Sequence, residues 1–343
     1  MSTSSTGNQS SAAGHGVRFL PPPFTTTFCS TTTTPTSCSA TTAVFNPLLQ
    51  VPRLQNQVSN EFKVGSINIG CKAGTDTALF AIMLMLQQFQ PQVHVWYLTE
   101  CDALAVQRHV EVPGWVCFRK WPGPGSRAAC WLLRPHIVAK LRWRRWYGRS
   151  SALLLDFAQP NSPPSQSSKV FVVATHVAHG EDYPQSLLDL TRLLRCSPRT
   201  AIRCCIGDWN VNQRIHSATI AQCSTISWGD QQSRRRLLEQ WQAANRLEVV
   251  LPFFSLGAAP APWGAVSLEE PISRVPRGQE TSAPSLLDYA YTDVSHNANS
   301  VLDWRCAVDD HAACVLSVQC HHVLKPKKTS TWQPKNEEQV LSF

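Results

Sequence analysis

Short apolar runs that stop on an acid, an amide or an imidazole recur along this chain, and they constrain its fold more than any other feature. Residues 62–69 hold Asn68 near their end, and Val-Trp-Tyr-Leu-Thr closes on Glu100. Val-Phe-Val-Val-Ala-Thr closes on His176, and Cys-Cys-Ile-Gly runs into Asp208 and Asn210. Asp288 sits inside Leu-Leu-Asp-Tyr, and Asp310 and His311 precede the apolar run 314–318. Such runs, rich in β-branched and aromatic residues, read as strands, and residues 170–175 as a strand buried on both faces. Polar residues at the ends of strands in a shared sheet can meet in one pocket.

Helical stripes lie between the runs. Leu79, Ile82, Met83 and Leu86 fall at i, i+3, i+4 and i+7. Leu187, Leu188, Leu190 and Leu194 suggest a second helix, and Leu237, Leu238, Trp241 and Ala244 a third. Further strands are expected at 93–98, 115–118, 128–133, 151–157, 201–206 and 286–292. Strands alternating with helices predict an α/β layered domain over residues 61–322. Residues 252–285, rich in Pro and Gly, show no clear period, as expected of a long functional or mobile loop. Residues 1–60 hold no Asp or Glu and only Arg18 and Arg53 as Lys or Arg, so this Ser/Thr-rich leader is expected to be disordered. Acid-poor, Ser-rich leaders also serve as organelle transit peptides, although Arg is sparse here. Residues 323–343 read as a basic, polar tail or linker.

Composition narrows the class. With 343 residues, 43% of them hydrophobic, the chain can bury a large core. Its 13 cysteines form no Cys-x-x-Cys pair, which argues for free thiols in a reducing compartment over a zinc knuckle. Cys320-His321-His322 reads as a strand end rather than a metal site. No apolar run has the length of a membrane span, so no membrane partner is expected.

The net charge of +8 has a local source. Residues 112–155 hold no acid and nine Lys or Arg. Arg142, Trp143, Arg144, Arg145, Trp146 and Arg149 crowd its densest part. Cations that neutralise phosphates, interleaved with rings that stack on bases, suit nucleic acid. The alternative is a hairpin whose tryptophans pack inward while its arginines stay solvated.

Singly, each strand-end residue has a plainer reading: Asn or Asp as a turn residue, His176 as an ordinary histidine. Together, Glu, Asp, Asn and His supply what phosphodiester hydrolysis needs. These are oxygen ligands for a hard divalent cation, an oriented water, a base, and donors for the charge that develops on phosphate.

The ordered motifs Ser-Ile-Asn-Ile-Gly (66–70), Leu-Thr-Glu (98–100), Ala-Thr-His (174–176), Ile-Gly-Asp-Trp-Asn (206–210), Leu-Asp-Tyr (287–289) and Asp-Asp-His (309–311) resemble those of the endonuclease/exonuclease/phosphatase superfamily. This group includes DNase I, apurinic/apyrimidinic endonucleases, inositol-polyphosphate phosphatases and sphingomyelinases. Within it the chain most resembles the apurinic-type endonuclease domain of non-LTR retrotransposons, a likeness that residues 125–134 and Ile272-Ser273-Arg274 share.

The resemblance implies a four-layered α/β/β/α sandwich of the DNase I-like type with two packed mixed β-sheets. It implies an endonuclease that hydrolyses DNA by in-line attack of water, dependent on Mg²⁺ or alternatively Mn²⁺. Glu100 would hold the metal, with Asn68 near its shell. Asp208 would orient or deprotonate the water, Asn210 would position it or the phosphate, and His176 would donate to the phosphate or leaving oxygen. Asp310 would fix the tautomer of His311, which would polarise the phosphate, and Asp288 would stand behind that histidine. The division of labour between Asp208 and His311 stays open. Two residues depart from the family pattern: Asp309, where Ser is usual, and His179, where Asn or Pro is frequent. The tail from Lys325 is similar to the start of a linker towards a reverse transcriptase, to which such a domain would once have been fused. DNA is then the expected partner, the nucleus the expected compartment, and a monomer the expected state. A phosphatase or lipid phosphodiesterase of the same fold, or an inactive nucleic-acid-binding remnant, are the alternatives.

Overall fold

The structure, a computed structural model, describes residues 61–101, 109–112, 114–120, 128–157, 169–213, 228–258, 271–275 and 284–320. The leader, the tail, the loop 160–168, most of 252–285, and His321 and His322 lie outside these residues.

Each apolar run becomes a strand for the expected reason. In β1 (Glu61–Asn68) the residues from Val64 onward are all buried, since one face meets a helix and the other the second sheet. α1 (Asp76–Phe89) starts where Thr75 Oγ1 accepts the Ala78 N–H at 3.1 Å, and it buries the Leu79, Ile82, Met83 and Leu86 stripe. The chain continues through β2 (Val95–Cys101), β3 (His109–Val112), β4 (Trp115–Lys120), β5 (Ala128–Leu133) and the single turn α2 (Pro135–Val138). Then come β6 (Leu141–Tyr147), β7 (Ser150–Asp156), β8 (Lys169–His176), α3 (Tyr183–Arg195), β9 (Ile202–Asp208) and α4 (Trp228–Asn245). β10 (Glu248–Val250), β11 (Ser255–Leu256), β12 (Asp288–Thr292), β13 (Ala298–Asp303) and β14 (Ala313–Gln319) complete it.

The strands form two mixed sheets, ordered β11-β13-β14-β1-β2-β5-β4-β3 and β10-β12-β9-β8-β7-β6. The main core lies between them and under α3 and α4, which bury Tyr183, Leu187, Leu190, Leu193, Leu238 and Trp241 against the second sheet. A second core joins α1 to the outer face of the first sheet through Trp96, Leu98, Cys117, Cys130 and Leu132. Each large side chain so buried contributes about 1.5–3 kcal/mol. The sheets are also pinned by polar contacts: Trp131 Nε1 donates to Ser151 Oγ at 2.7 Å, and the Tyr97 hydroxyl to the Arg149 carbonyl at 3.0 Å. The expected α/β/β/α sandwich is the architecture. Among the described residues no helix is long and apolar enough to cross a membrane.

Differences from the expected elements have local causes. β3, β10, β11 and β13 carry too few apolar residues for a period to show. α4 begins at Trp228, ahead of its apolar stripe, because residues 228–236 hold mostly polar and charged side chains. β12 begins at Asp288, and Leu286 and Leu287 precede it.

Topology then collects the strand ends. β1 and β2 run parallel in the first sheet, and β8 and β9 run parallel in the second. β1 faces β9, so Asn68, Glu100, His176 and Asp208 finish at one edge. β12 pairs antiparallel with β9, and β14 with β1, so Asp288 and the turn holding Asp310 and His311 enter at that same edge.

Candidate active site

Asp208 is the hub. Its Oδ1 accepts the Asn210 N–H at 3.0 Å, and its Oδ2 accepts the Asn68 amide at 3.3 Å, a bond that crosses between the sheets. Trp209 anchors the motif from the other side. Its indole N–H donates to the Tyr289 carbonyl at 2.9 Å, and its buried ring meets Tyr291 at 4.8 Å and Trp241 at 5.4 Å. With the tryptophan rooted in the core, Asp208 and Asn210 are turned into the cleft. Asn210, at φ 53°, donates its amide to the Val177 carbonyl at 2.6 Å. Gly207 is required beneath them: a Cβ there would lie 2.0 Å from the Thr175 carbonyl oxygen.

Asp288 stands opposite Asp208 in the strand register, and its Oδ2 lies 2.7 Å from His311 Nδ1. Ser273 Oγ accepts the N–H groups of Leu287 at 2.8 Å and Asp288 at 2.9 Å, fixing where that carboxylate starts. The contact expected of Asp310 is therefore made by Asp288. Asp310 turns away to accept Arg274 Nε at 3.0 Å, with its Oδ1 3.7 Å from His311 Nε2.

Glu100 sits on a bulge of β2, at φ 53°. Its carbonyl accepts the Cys71 N–H at 2.7 Å, and its Oε1 lies 3.6 Å from His176 Nε2. Asn68 folds the preceding turn, its Oδ1 accepting the Gly70 N–H at 3.1 Å. Cys71, Glu100 and Asn210 all hold left-handed backbone at this edge, a strain of about 1–3 kcal/mol each that clusters at functional sites.

Burial alone would raise the Asp208 carboxyl, but His311 and His176, with the Asn210 and Asn68 bonds, hold it below the usual range. Burial alone would lower His311, but Asp288, Asp208 and Asp310 raise it to about 9. Burial pushes Asp288 up, against the pull of His311. The pair thus keeps its proton through neutral pH while Asp208 stays ionised 3.9 Å from His311 Nε2.

The donors fit a hard cation. Glu100, Asp208 and the second lone pair of Asn68 Oδ1 are all oxygens. Asp208, Asp288 and His311 also bring ligand atoms within 4.8 Å of one another, although the short Asp288–His311 bond makes those two a hydrogen-bonded pair. Asp288 Oδ1 is buried without a hydrogen-bond partner on that side.

The basic segment divides. Trp143 stacks on Phe171 at 5.7 Å, and Trp146 lies 6.2 Å from Tyr97, so both rings pack against the core, which is the alternative weighed for them. Arg144 lies over Phe118 and Arg145 over Tyr147, at 4.1 and 4.9 Å. Arg142 is at the far end of β6, about 3.3 Å per residue from the turn, and faces Asp156 at 3.8 Å. Arg149 alone of the six lies at the site edge, where its carbonyl accepts the His176 N–H at 3.4 Å.

Two residues that help to build the site were not among its expected members, Ser273 and Arg234. Ser273 belongs to the Ile272-Ser273-Arg274 segment whose likeness to the family gave it no role of its own. Arg234 donates from α4 to the Asn210 carbonyl at 3.4 Å. Only the packing brings them to the motifs.

No protein-family model matches the chain, and no curated protein does. Solved structures do. An AP endonuclease, LMAP from Leishmania major, is similar with a TM-score of 0.55 at 14% identity, over 76% of this chain and 89% of that one. The chain has the endonuclease/exonuclease/phosphatase fold. The endonuclease domain of TRAS1, a telomere-specific non-LTR retrotransposon, matches with a TM-score of 0.48 at 12% identity, over 76% of this chain and all of that one. An endonuclease/exonuclease/phosphatase family protein from Leptotrichia buccalis matches with a TM-score of 0.48 at 10% identity, over 75% of this chain and 99% of that one. Within this fold, the motif residues lie where the two parallel strand pairs end.

Proposed function

We propose that this chain is a divalent-metal-dependent phosphodiesterase that nicks DNA, in the manner of a retrotransposon endonuclease. One observation carries the reading: His311 is held between buried Asp288, 2.7 Å from its Nδ1, and Asp208, 3.9 Å from its Nε2, at the rim where Asn68 and Glu100 also end. A carboxylate and an imidazole side by side, their pKa values pushed apart, can serve one face of a phosphodiester as base and proton donor.

Mg²⁺, or Mn²⁺ in its place, would be held by Glu100 with Asn68 beside it, and would neutralise phosphate charge. Asp208 accepts a proton from the attacking water, which Asn210 helps to place. His311 donates to a phosphate oxygen, and His176 Nε2 points at the same space from the Glu100 side. As the water oxygen bonds to phosphorus in line, the P–O3′ bond breaks and the leaving oxygen takes up a proton from the His176 side, giving a 3′-hydroxyl and a 5′-phosphate. The choice of DNA is supported by the likeness of the motifs and by Arg149 at the edge. Asp309, packed over Gly70, adds a carboxylate beside the site without displacing any motif residue.

The test is nicking of supercoiled plasmid with Mg²⁺. Asp208→Ala and His311→Ala are each expected to lower the rate by about 10²–10³-fold. Activity that survives both changes, or that no divalent metal elicits, rejects the reading. Phosphate release from an inositol phosphate without plasmid nicking would favour the phosphatase alternative.

A further inference from the structure

We propose that Cys101 and Cys130 form an oxidative modification site, closing to a disulfide under peroxide and displacing Glu100. Their Sγ atoms lie 3.7 Å apart, and both residues are buried, Cys101 at 6% exposure and Cys130 at 0%. They stand on neighbouring antiparallel strands but not opposite each other: Cys101 faces Ala128, and Leu98 faces Cys130. Between those two pairs β2 spends one more residue than β5, and the surplus is the bulge at Thr99 and Glu100.

A disulfide holds its sulfurs about 2.05 Å apart, so this pair must close by about 1.7 Å. Cys130 cannot yield much, because it is paired to Leu98 on one side and Arg119 on the other. Cys101 is the last residue of β2, and the bulge is the irregular part of the ladder. The movement therefore falls on the stretch that carries Glu100, already at φ 53° and tied through its carbonyl to Cys71. Cys117, the next thiol in the row, is turned instead towards Met83 Sδ at 3.6 Å.

The chemistry balances with hydrogen peroxide as oxidant. The Cys101 sulfur, the more exposed of the two, attacks one peroxide oxygen, the O–O bond breaks, and a sulfenic acid and one water form. The Cys130 sulfur then displaces that hydroxyl as a second water, and the S–S bond forms. Two electrons pass from the two sulfurs to the peroxide oxygens, and the thiol protons end in water. A loss of function through Glu100 rests on the proposed function; formation of the bond does not.

The full chain would be treated with hydrogen peroxide, alkylated and mapped without reduction. A Cys101–Cys130 cross-linked peptide is expected. With it should come at least about a tenfold loss of plasmid nicking, as for a disturbed metal ligand, restored by dithiothreitol. Cys130→Ser and, should that buried change unfold the chain, Cys101→Ser are expected to keep nicking after peroxide. Recovery of both cysteines singly alkylated or over-oxidised overturns the site. A cross-link that leaves nicking unchanged overturns the displacement of Glu100. A reduced chain that never nicks defeats the proposed function, and the peptide map still decides the disulfide.

Discussion

At the scale of single residues, the buried Asp288–His311 pair governs how the molecule answers to pH. The folded pKa of His311, about 9, lies above the ordinary 6.5. Its stabilisation is therefore complete below about pH 6.5 and lost as pH rises through about 9, on the order of 2–3 kcal/mol. Nicking should fall over the same range, as the donor loses its proton. Asp288→Asn should bring the His311 titration, followed by NMR, back towards the ordinary range and cost about 10²-fold in rate. His94 sets the acid side. Burial, with His136 and Arg134 nearby, lowers it to about 4, and its Nδ1 accepts the Lys63 N–H at 3.0 Å. This depressed group contributes above pH 6.5 and is lost as pH falls through about 4. Half-buried and screened, it should be worth about 1–2 kcal/mol. His94→Gln, which keeps an acceptor without the titration, should flatten the acid limb of a melting-temperature profile.

At the scale of elements, the β6–β7 hairpin shows how register divides one charged run into different tasks. Trp143→Ala should cost about 1–3 kcal/mol in urea unfolding, because the ring is stacked on Phe171. Arg142→Ala should leave stability within about 0.5 kcal/mol and DNA affinity nearly unchanged. Arg149→Ala should weaken DNA binding and reduce the salt slope by about 1. Dependence of binding on Arg142 rather than Arg149 would contradict this division. In β1, a Cβ on Gly65 would meet the Trp96 ring at 2.2 Å. Gly65→Ala should therefore destabilise by about 1–3 kcal/mol through overpacking, read as a lowered denaturant midpoint. Apolar runs and stripes located β1, β2, β4, β5, β7, β8, β9, β12, β14 and the three long helices, since each buries an apolar face. They were silent on β13 and β10, whose pairing with β14 and β12 decides their state.

At the scale of the whole molecule, the site exists only because two sheets pack face to face with their strand ends at one rim. Asn68 and Asp208 are 140 positions apart and hydrogen-bonded. A cation bound there should stabilise the assembled fold by about 2.7 kcal/mol at a hundred times its Kd. Mg²⁺ should thus raise the melting temperature of the wild type and not of Glu100→Gln, and an equal rise in both would rule out Glu100 as a ligand. The sequence by itself determined the alternation of elements, the buried strands, and the residues that gather at the site edge. Those follow from local spacing and from the order of short motifs. Only the tertiary structure decided that Asp288 rather than Asp310 takes the His311 Nδ1, that Ser273 holds Asp288, and that the tryptophans of the basic run face inward. Neighbours such as Asp310 and His311 share an address in sequence but reach different partners, Arg274 and Asp288. Which partner each one reaches depends on segments brought in from elsewhere in the chain.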